Sequence, residues 1–319
     1  MEGEGGLMIA DAVAGLSRRL ARDSAKLCVN GANWGRRVAA LLYRYYPAKQ
    51  GVTTIHDFDG DLTMCVDRGS YIGSAIYWGG HHSLPLVRFL RNFLTPEMTV
   101  VDVGANIGEI TLFAAKKLQR GRVLAFEPNP RIFEQLSRNV ALNQLSNVEL
   151  FNAGLYDQQG VLPLYEEEEK YYGRPNEGMT SLFTSGRARA AATVPLRRLD
   201  DVAQECALET MDFLKIDVEG AEWMVLRGGG MAIGRFRPVI VAEVSAENFA
   251  RAGYTPKDLL AFLESLDYEV RVLASRSADI SEECDVLCWP RERKWPLEAR
   301  SNEWRAKRRK KINAEFTEA

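Results

Sequence analysis

The stretch Val101-Asp102-Val103-Gly104-Ala105-Asn106-Ile107-Gly108 constrains this chain more than any other. An apolar strand runs into a turn with two glycines, and a helical pattern follows. Gly104 lets the chain leave the strand in a conformation that costs a residue with a β-carbon. Gly108 lets the helix start close to the sheet. From Thr99 onward short apolar runs alternate with helical periods. Strands are predicted over Thr99–Val103, Arg122–Phe126, Val148–Phe151, Val161–Tyr165, Thr193–Leu196, Phe213–Ile216 and Val239–Val244. Helices are predicted over Gly108–Leu118, Arg131–Leu142, Ala221–Leu226 (stopped at Gly228-Gly229-Gly230) and Leu259–Leu266. Tyr268–Leu273 and Val286–Trp289 read as a closing antiparallel hairpin. Such alternation implies a doubly wound, mostly parallel α/β sheet with helices on both faces.

Four regions follow. Residues 1–50 form a helical extension, with Leu16, Leu20, Leu27, Val38, Leu41 and Leu42 at helical spacing, broken at Asn30-Gly31 and ended at Pro47. Residues 51–96 hold a hairpin turning at Asp59-Gly60 and the helix Leu84–Leu94, and are expected to cap the site. Residues 97–290 are the main domain, interrupted by the polar stretch Glu166–Ala190, which reads as an insertion. Residues 291–319 are a basic tail, with six basic residues among the seven of Arg305–Lys311.

The formal net charge of −2 gives no whole-protein pull toward nucleic acid or anionic membrane. The five cysteines are scattered and odd in number, which argues against a disulfide framework. Cys284 and Cys288 are close, but no second pair completes a zinc site, so core thiols are expected and no metal. No apolar run approaches the ~20 residues of a membrane span. Met1–Ala10 is a poor signal peptide, so the cytoplasm is the expected location.

Ligands of doubly wound sheets bind beyond the carboxyl ends of the strands, where crossover direction reverses. Glu127, at the end of the next strand, can accept hydrogen bonds from both ribose hydroxyls of an adenosyl ligand. A dinucleotide would bring a pyrophosphate, which needs a tighter glycine turn and a free helix N-terminus. Asp102 at the mouth of the loop and Glu109 opening the helix would repel a diphosphate and suit an ammonium and a sulfonium. The sign of the local charge favours S-adenosylmethionine.

Phe213-Leu214-Lys215-Ile216-Asp217-Val218-Glu219-Gly220 repeats the strand-to-loop pattern. Methyl transfer to an alcohol needs an in-line approach and a proton acceptor. Asp217 and Glu219 are the candidates for general base and substrate orientation. Lys215 can pair with Asp217 if the strand alternates. His82 is a further candidate base. Glu243, His81 and Ser181 are candidate substrate residues. A bland alternative makes Asp217 a helix N-cap.

Together with Thr111, Phe126-Glu127-Pro128, Asn139, Leu142-Asn143, Asn152-Ala153-Gly154-Leu155, Leu199-Asp200-Asp201 and Pro238 to Glu243, these residues resemble the FkbM family of class I methyltransferases. The resemblance covers roughly Tyr71 to Trp289, and Lys215-Ile216-Asp217-Val218-Glu219-Gly220 is its most telling part. It implies a seven-stranded sheet with a reversed last strand, S-adenosylmethionine as cofactor, and O-methylation of a hydroxyl on a small molecule or sugar. It would assign Asp102, Gly104, Asn106 and Glu127 to the cofactor, with Asn152 and Ala153 near the adenine. Ala105 and Gly108 of the same loop join that set. The pair His81-His82, where the family often has a glutamate, and the two terminal extensions depart from its pattern. Competing readings are an RNA methyltransferase using the basic tail, a nicotinamide-dependent oxidoreductase, and a non-catalytic module of the same fold.

Overall fold

The computed structural model describes residues 11–20, 51–166, 170–171, 174–175, 180–184, 188–275 and 283–293. The rest of the helical extension, including Leu27 and Pro47, lies outside the described residues, as do Cys28 and the whole of Arg305–Lys311.

The chain first forms the antiparallel hairpin β1 (Val52–Phe58) and β2 (Leu62–Asp67), then helices α1 (Tyr71–Gly79) and α2 (Leu84–Phe93). The doubly wound region follows with β3 (Thr99–Val103), α3 (Glu109–Lys117), β4 (Arg122–Phe126), α4 (Pro130–Leu142) and β5 (Val148–Phe151). A run of short strands comes next: β6 (Gly154–Leu155), β7 (Gly160–Glu166), β8 (Lys170–Tyr171), β9 (Arg174–Pro175), β10 (Thr180–Ser181) and β11 (Arg189–Arg197). The chain returns through α5 (Leu199–Glu205), β12 (Phe213–Ile216), α6 (Glu222–Gly228), α7 (Gly230–Phe236) and β13 (Val239–Ser245). It closes with α8 (Ala246–Ala252), α9 (Pro256–Ser265), β14 (Tyr268–Ser275) and β15 (Glu283–Pro290).

Seven strands form the central sheet in the order β14-β15-β13-β12-β3-β4-β5. All run parallel except the last in sequence, β15, which is antiparallel to both neighbours. This is the doubly wound sheet with a reversed last strand. Every residue of β3, β12 and β13 is buried, because helices cover both faces and such strands must be apolar throughout. Alternate residues feed two separate cores. Val100 and Phe213 face one layer, while Val101, Val103, Leu214 and Ile216 face the other. Cys284 and Cys288 stand four apart on β15 and are both buried free thiols in the second core.

One expectation changes here. Val161–Tyr165 and Thr193–Leu196 do form strands, but outside the central sheet. They pair in a separate four-stranded sheet, order β10-β7-β11-β6, over a small core of Leu164, Val194 and Leu196. The helix expected to stop at the glycine triplet does so: α6 ends at Gly228 with Gly229 as its C-cap, and a second helix, α7, starts at Gly230. These glycines serve close packing: a β-carbon on Gly228 would sit 2.0 Å from the Tyr156 carbonyl, and one on Gly229 would sit 2.6 Å from Leu199.

The hairpin docks on α4 through two asparagines one turn apart. Asn139 accepts from the Cys65 N–H and donates to the Cys65 and Ile107 carbonyls. Asn143 does the same for the N–H and carbonyl of Thr63. The side-chain amides thus stand in for a missing neighbouring strand on the β2 edge. Residues 11–20 are helical and pack against this cap with an unexpected face inward. Arg18 is buried, donating to Asp57 at 2.8 Å and to the Tyr77 carbonyl at 2.5 Å, whereas Leu16 and Leu20 face out.

Candidate active site

The chain runs from β3 toward β4 and β5 on one side, and from β12 toward β13 on the other, so the crossover direction reverses between β3 and β12. A cleft partly open to solvent lies beyond the carboxyl ends of these strands.

The β3–α3 loop is its floor. Gly104 has φ 76°, and a β-carbon there would sit 1.8 Å from the Asp217 carbonyl on the neighbouring strand end. The amides of Gly104 and Ala105 both donate to the Phe126 carbonyl at 3.0 and 2.9 Å, which folds the loop over β4. Asn106 also has positive φ, at 50°. Its N–H donates to Glu127 at 3.0 Å, and the Asn129 N–H donates to the other Glu127 oxygen at 2.9 Å. Two backbone amides therefore aim the Glu127 carboxylate, which lines the cleft. Burial pushes its acidity constant up to about 7, against the pull of those two amides.

The loop after β12 forms the opposite lip. Asp217 is a lining residue and lies 3.5 Å from Lys215. Glu219, also lining, has φ 54°, and its carboxylate accepts from Asn248 at 2.9 Å. Glu222 holds the loop from beneath by accepting the amides of Val218 and Gly220 at 3.0 and 3.1 Å. The N-cap of α6 is Ala221, so Asp217 is not used as a helix cap. His82 lines the cleft from the cap, edge-on to the Tyr71 ring at 5.4 Å.

Of the residues singled out in the sequence, Gly104, Ala105, Asn106, Glu127, Ala153, Asp217, Glu219 and His82 border the cleft. Asp102, Gly108, Asn152, Ser181, Glu243 and His81 do not, and each has a visible reason. Asp102 is no residue of the mouth: it is fully buried, accepts from Thr111 at 2.6 Å and pairs with Lys215 at 3.2 Å. Its charge is answered inside the sheet and cannot repel a diphosphate. Gly108 is the N-cap of α3 and abuts Leu136, where a β-carbon would come within 2.8 Å. Asn152 donates to the carbonyls of Glu127 and Pro128, steadying the turn after β4 from behind. His81 is sandwiched between Glu109 at 3.2 Å and Asp59 at 3.5 Å. Ser181 is hydrogen-bonded to the β12 loop. Glu243 is buried behind the lip, its carboxylate within 4.8 Å of those of Asp217 and Glu219. Among the described residues this is the arrangement with the donor set for a hard divalent cation.

The negative lip therefore survives on different residues. Glu127, Asp217 and Glu219 supply it, while Asp102 is neutralised and Glu109 is engaged by His81 and the Ser83 N–H. Among the described residues the cleft is lined by several carboxylates and by two basic side chains, the doubly paired Lys215 and His82, a set that fits a cationic adenosyl ligand better than a diphosphate. Residues overlooked in the sequence also line the cleft, among them Tyr71, Ile72, Leu164, Thr180 and Leu182. They come from the cap and from the small sheet: the cap and Ser181 are expected near the site, but no local pattern singles out these particular side chains.

Residues 102–270 match the model of the methyltransferase FkbM domain. The chain belongs to this family. As an FkbM methyltransferase it takes S-adenosylmethionine as its cofactor, and the reading as a nicotinamide-dependent oxidoreductase falls. It is 33% identical over 195 residues to methyltransferase sdnD of Sordaria araneosa, covering 54% of this chain and 73% of that one. It is 25% identical over 181 residues to 2-O-methyltransferase NoeI of Sinorhizobium fredii, with the same shares of 54% and 73%. Among solved structures, methyltransferase FkbM from Methylobacillus flagellatus is similar at 20% identity and a TM-score of 0.42, over 61% of this chain and 44% of that one. Among the described residues, no helix is long and apolar enough to cross a membrane.

Proposed function

We propose that this methyltransferase acts on oxygen, methylating a hydroxyl of a small molecule or sugar. One observation carries the reading: Asp217 and Glu219 border the same cleft as Glu127 and the glycine loop. When bound, the cofactor supplies a methyl group activated on a positively charged sulfur. The Glu127 carboxylate accepts from the ribose hydroxyls, with Asn106 and Asn129 holding it in place. Gly104, Ala105 and Ala153 leave room for the ligand against the backbone.

Asp217 is the proposed general base. Its carboxylate lies 3.5 Å from the Lys215 ammonium, which fixes its place at the lip, and its partial exposure gives an acceptor access. Glu219, braced by Asn248, orients the acceptor hydroxyl. His82 lines the same cleft and is the second proton acceptor at hand. Similarity to a 2-O-methyltransferase supports oxygen as the target.

The test is transfer of a radiolabelled methyl group from S-adenosylmethionine into a metabolite extract. The expected product is an ether, whose label resists mild alkali. Asp217→Asn is expected to reduce its formation about 10²–10⁴-fold while binding S-adenosylhomocysteine normally. Label released by alkali as methanol would mean a carboxylate acceptor and would overturn the proposal.

A further inference from the structure

The small sheet beside the active site carries a feature that the chemistry above does not use. Strand β10 is only two residues long and pairs with the end of β7, Thr180 opposite Glu166 and Ser181 opposite Tyr165. Thr180, Leu182 and Leu164 line the cleft, so this sheet is its outer wall. Ser181 lies between the lining residues Thr180 and Leu182 and turns its hydroxyl to the β12 loop. It donates to the Glu219 carbonyl at 2.7 Å, across 38 positions of sequence, and accepts from the Phe183 N–H at 3.1 Å.

The loop it reaches is otherwise held from within the main domain. The Asp217 N–H donates to the Val103 carbonyl, and Glu222 takes the amides of Val218 and Gly220. The Gly220 carbonyl accepts from Tyr254 at 3.1 Å, and the Glu219 side chain is bound by Asn248. Glu219 itself sits at φ 54°, a conformation an L-residue keeps only when its surroundings hold it there. Ser181 supplies that support from the wall side.

We infer that Ser181 is a positioning residue: its hydroxyl fastens the β7–β10–β11 wall to the Glu219 backbone and so sets the shape of the acceptor end of the cleft. A serine suits this task because one hydroxyl donates and accepts at once. The inference rests on the reading of Asp217 and Glu219 as the acceptor side, but the bond it describes can be broken and measured without any acceptor.

Backbone hydrogen exchange read by mass spectrometry, on the full chain with and without S-adenosylhomocysteine, tests it. In Ser181→Ala, peptides spanning 160–166 and 180–184 are expected to exchange about five- to tenfold faster, the effect of losing one hydrogen bond. Peptides covering the 101–108 loop should be unchanged, and the affinity for S-adenosylhomocysteine should stay within about twofold. Ser181→Thr keeps the hydroxyl, suits a strand, and is expected to restore the wild-type pattern. Unchanged exchange in Ser181→Ala would overturn the inference. So would a Ser181→Thr variant that exchanges like the alanine form, since packing and not the hydroxyl would then be at work. If the wild type failed to bind S-adenosylhomocysteine, the cofactor reading would fall, and exchange in the free protein would still decide the role of Ser181.

Discussion

The two lips of the cleft are built differently. The cofactor lip comes from two adjacent parallel strands and the loops that leave them, residues 101–108 and 126–129. Its groups are placed by the register of the central sheet, the most buried part of the molecule. The acceptor lip is gathered from the cap at Tyr71 and His82, from the small sheet at Leu164 and Leu182, and from the loop after β12. Its geometry depends on how separate pieces dock. A methyltransferase can keep one cofactor while changing acceptors if the first lip is fixed by the sheet and the second by attachments to it.

Gly104 is where the two lips touch, so it offers the hardest way to break the contrast. A β-carbon would need to occupy space 1.8 Å from the Asp217 carbonyl, and φ 76° would strain any L-residue. Neither strand end is free to move, because both are ladder-bonded: Ile216 pairs with Val103. Gly104→Ala is expected to cost about 3–5 kcal/mol of folding stability and to abolish binding of S-adenosylhomocysteine. Thermal unfolding and calorimetry check it. A variant that keeps wild-type affinity would show that the lips are not in rigid contact.

A milder perturbation confined to the cofactor lip should leave the acceptor lip alone. Glu127→Gln keeps the shape and removes the charge. Binding of S-adenosylhomocysteine is expected to weaken about tenfold to a hundredfold, since hydrogen bonds to a charged acceptor are the stronger kind. The sign with pH follows from the raised acidity constant. Burial lifts Glu127 from 4.5 to about 7, so burying the ionised form opposes folding, and stability falls as pH rises from 4.5 through 7. Ligand hydroxyls favour the ionised form, so affinity should rise across pH 6–8 in the wild type and stay flat in Glu127→Gln. A flat wild-type profile would remove Glu127 from the ribose.

The same contrast explains what could be read from the residues alone. The order of strands and helices from Thr99, the glycine loop, Glu127 and the Asp217 loop were legible because each is a local pattern whose placement the parallel topology dictates. Asp102 was misplaced for want of register. It faces Lys215 directly on the neighbouring strand, and that pairing emerges only when β3 and β12 are laid side by side. Opposite charges centred in two apolar strands were the available clue. The glycine triplet was legible as a helix stop because glycine commonly ends helices, and α6 ends there. What the sequence did not show is that Gly228 and Gly229 also admit Tyr156 and Leu199 at short range. Helix α1 was missed because YIGSAIYWG is apolar on all sides and shows no helical stripe. That helix begins with Tyr71 and Ile72, both lining residues, so missing the element also hid its contribution to the site.

His81 gives the smallest expected effect, a change of slope with pH more than of level. Its ring lies between Asp59 on the hairpin turn and Glu109 at the start of α3, joining the cap to the cofactor lip. Arg91 and Lys116 also face Asp59, and the Ser83 N–H faces Glu109. Burial alone would lower the imidazole's acidity constant, but the hydrogen bonds to Asp59 and Glu109 outweigh it and raise the constant above 6.5. The partners move oppositely: despite burial, His81 and Arg91 hold Asp59 down to about 2, and His81 holds Glu109 below its usual range. A raised histidine contributes stability that is fully present below about 6.5 and is lost as pH rises through its folded value. This window overlaps the one set by Glu127 only near pH 6.5–7 and extends above it, so the two can be separated. In His81→Gln the decline of the melting temperature above pH 7 should flatten, while the decline between pH 4.5 and 6.5 remains. The chain has only three histidines, so nitrogen NMR of the imidazoles reads the group directly. His81 should still be doubly protonated at pH 6.5. A neutral His81 ring at pH 6 would dissolve the link between cap and cofactor lip.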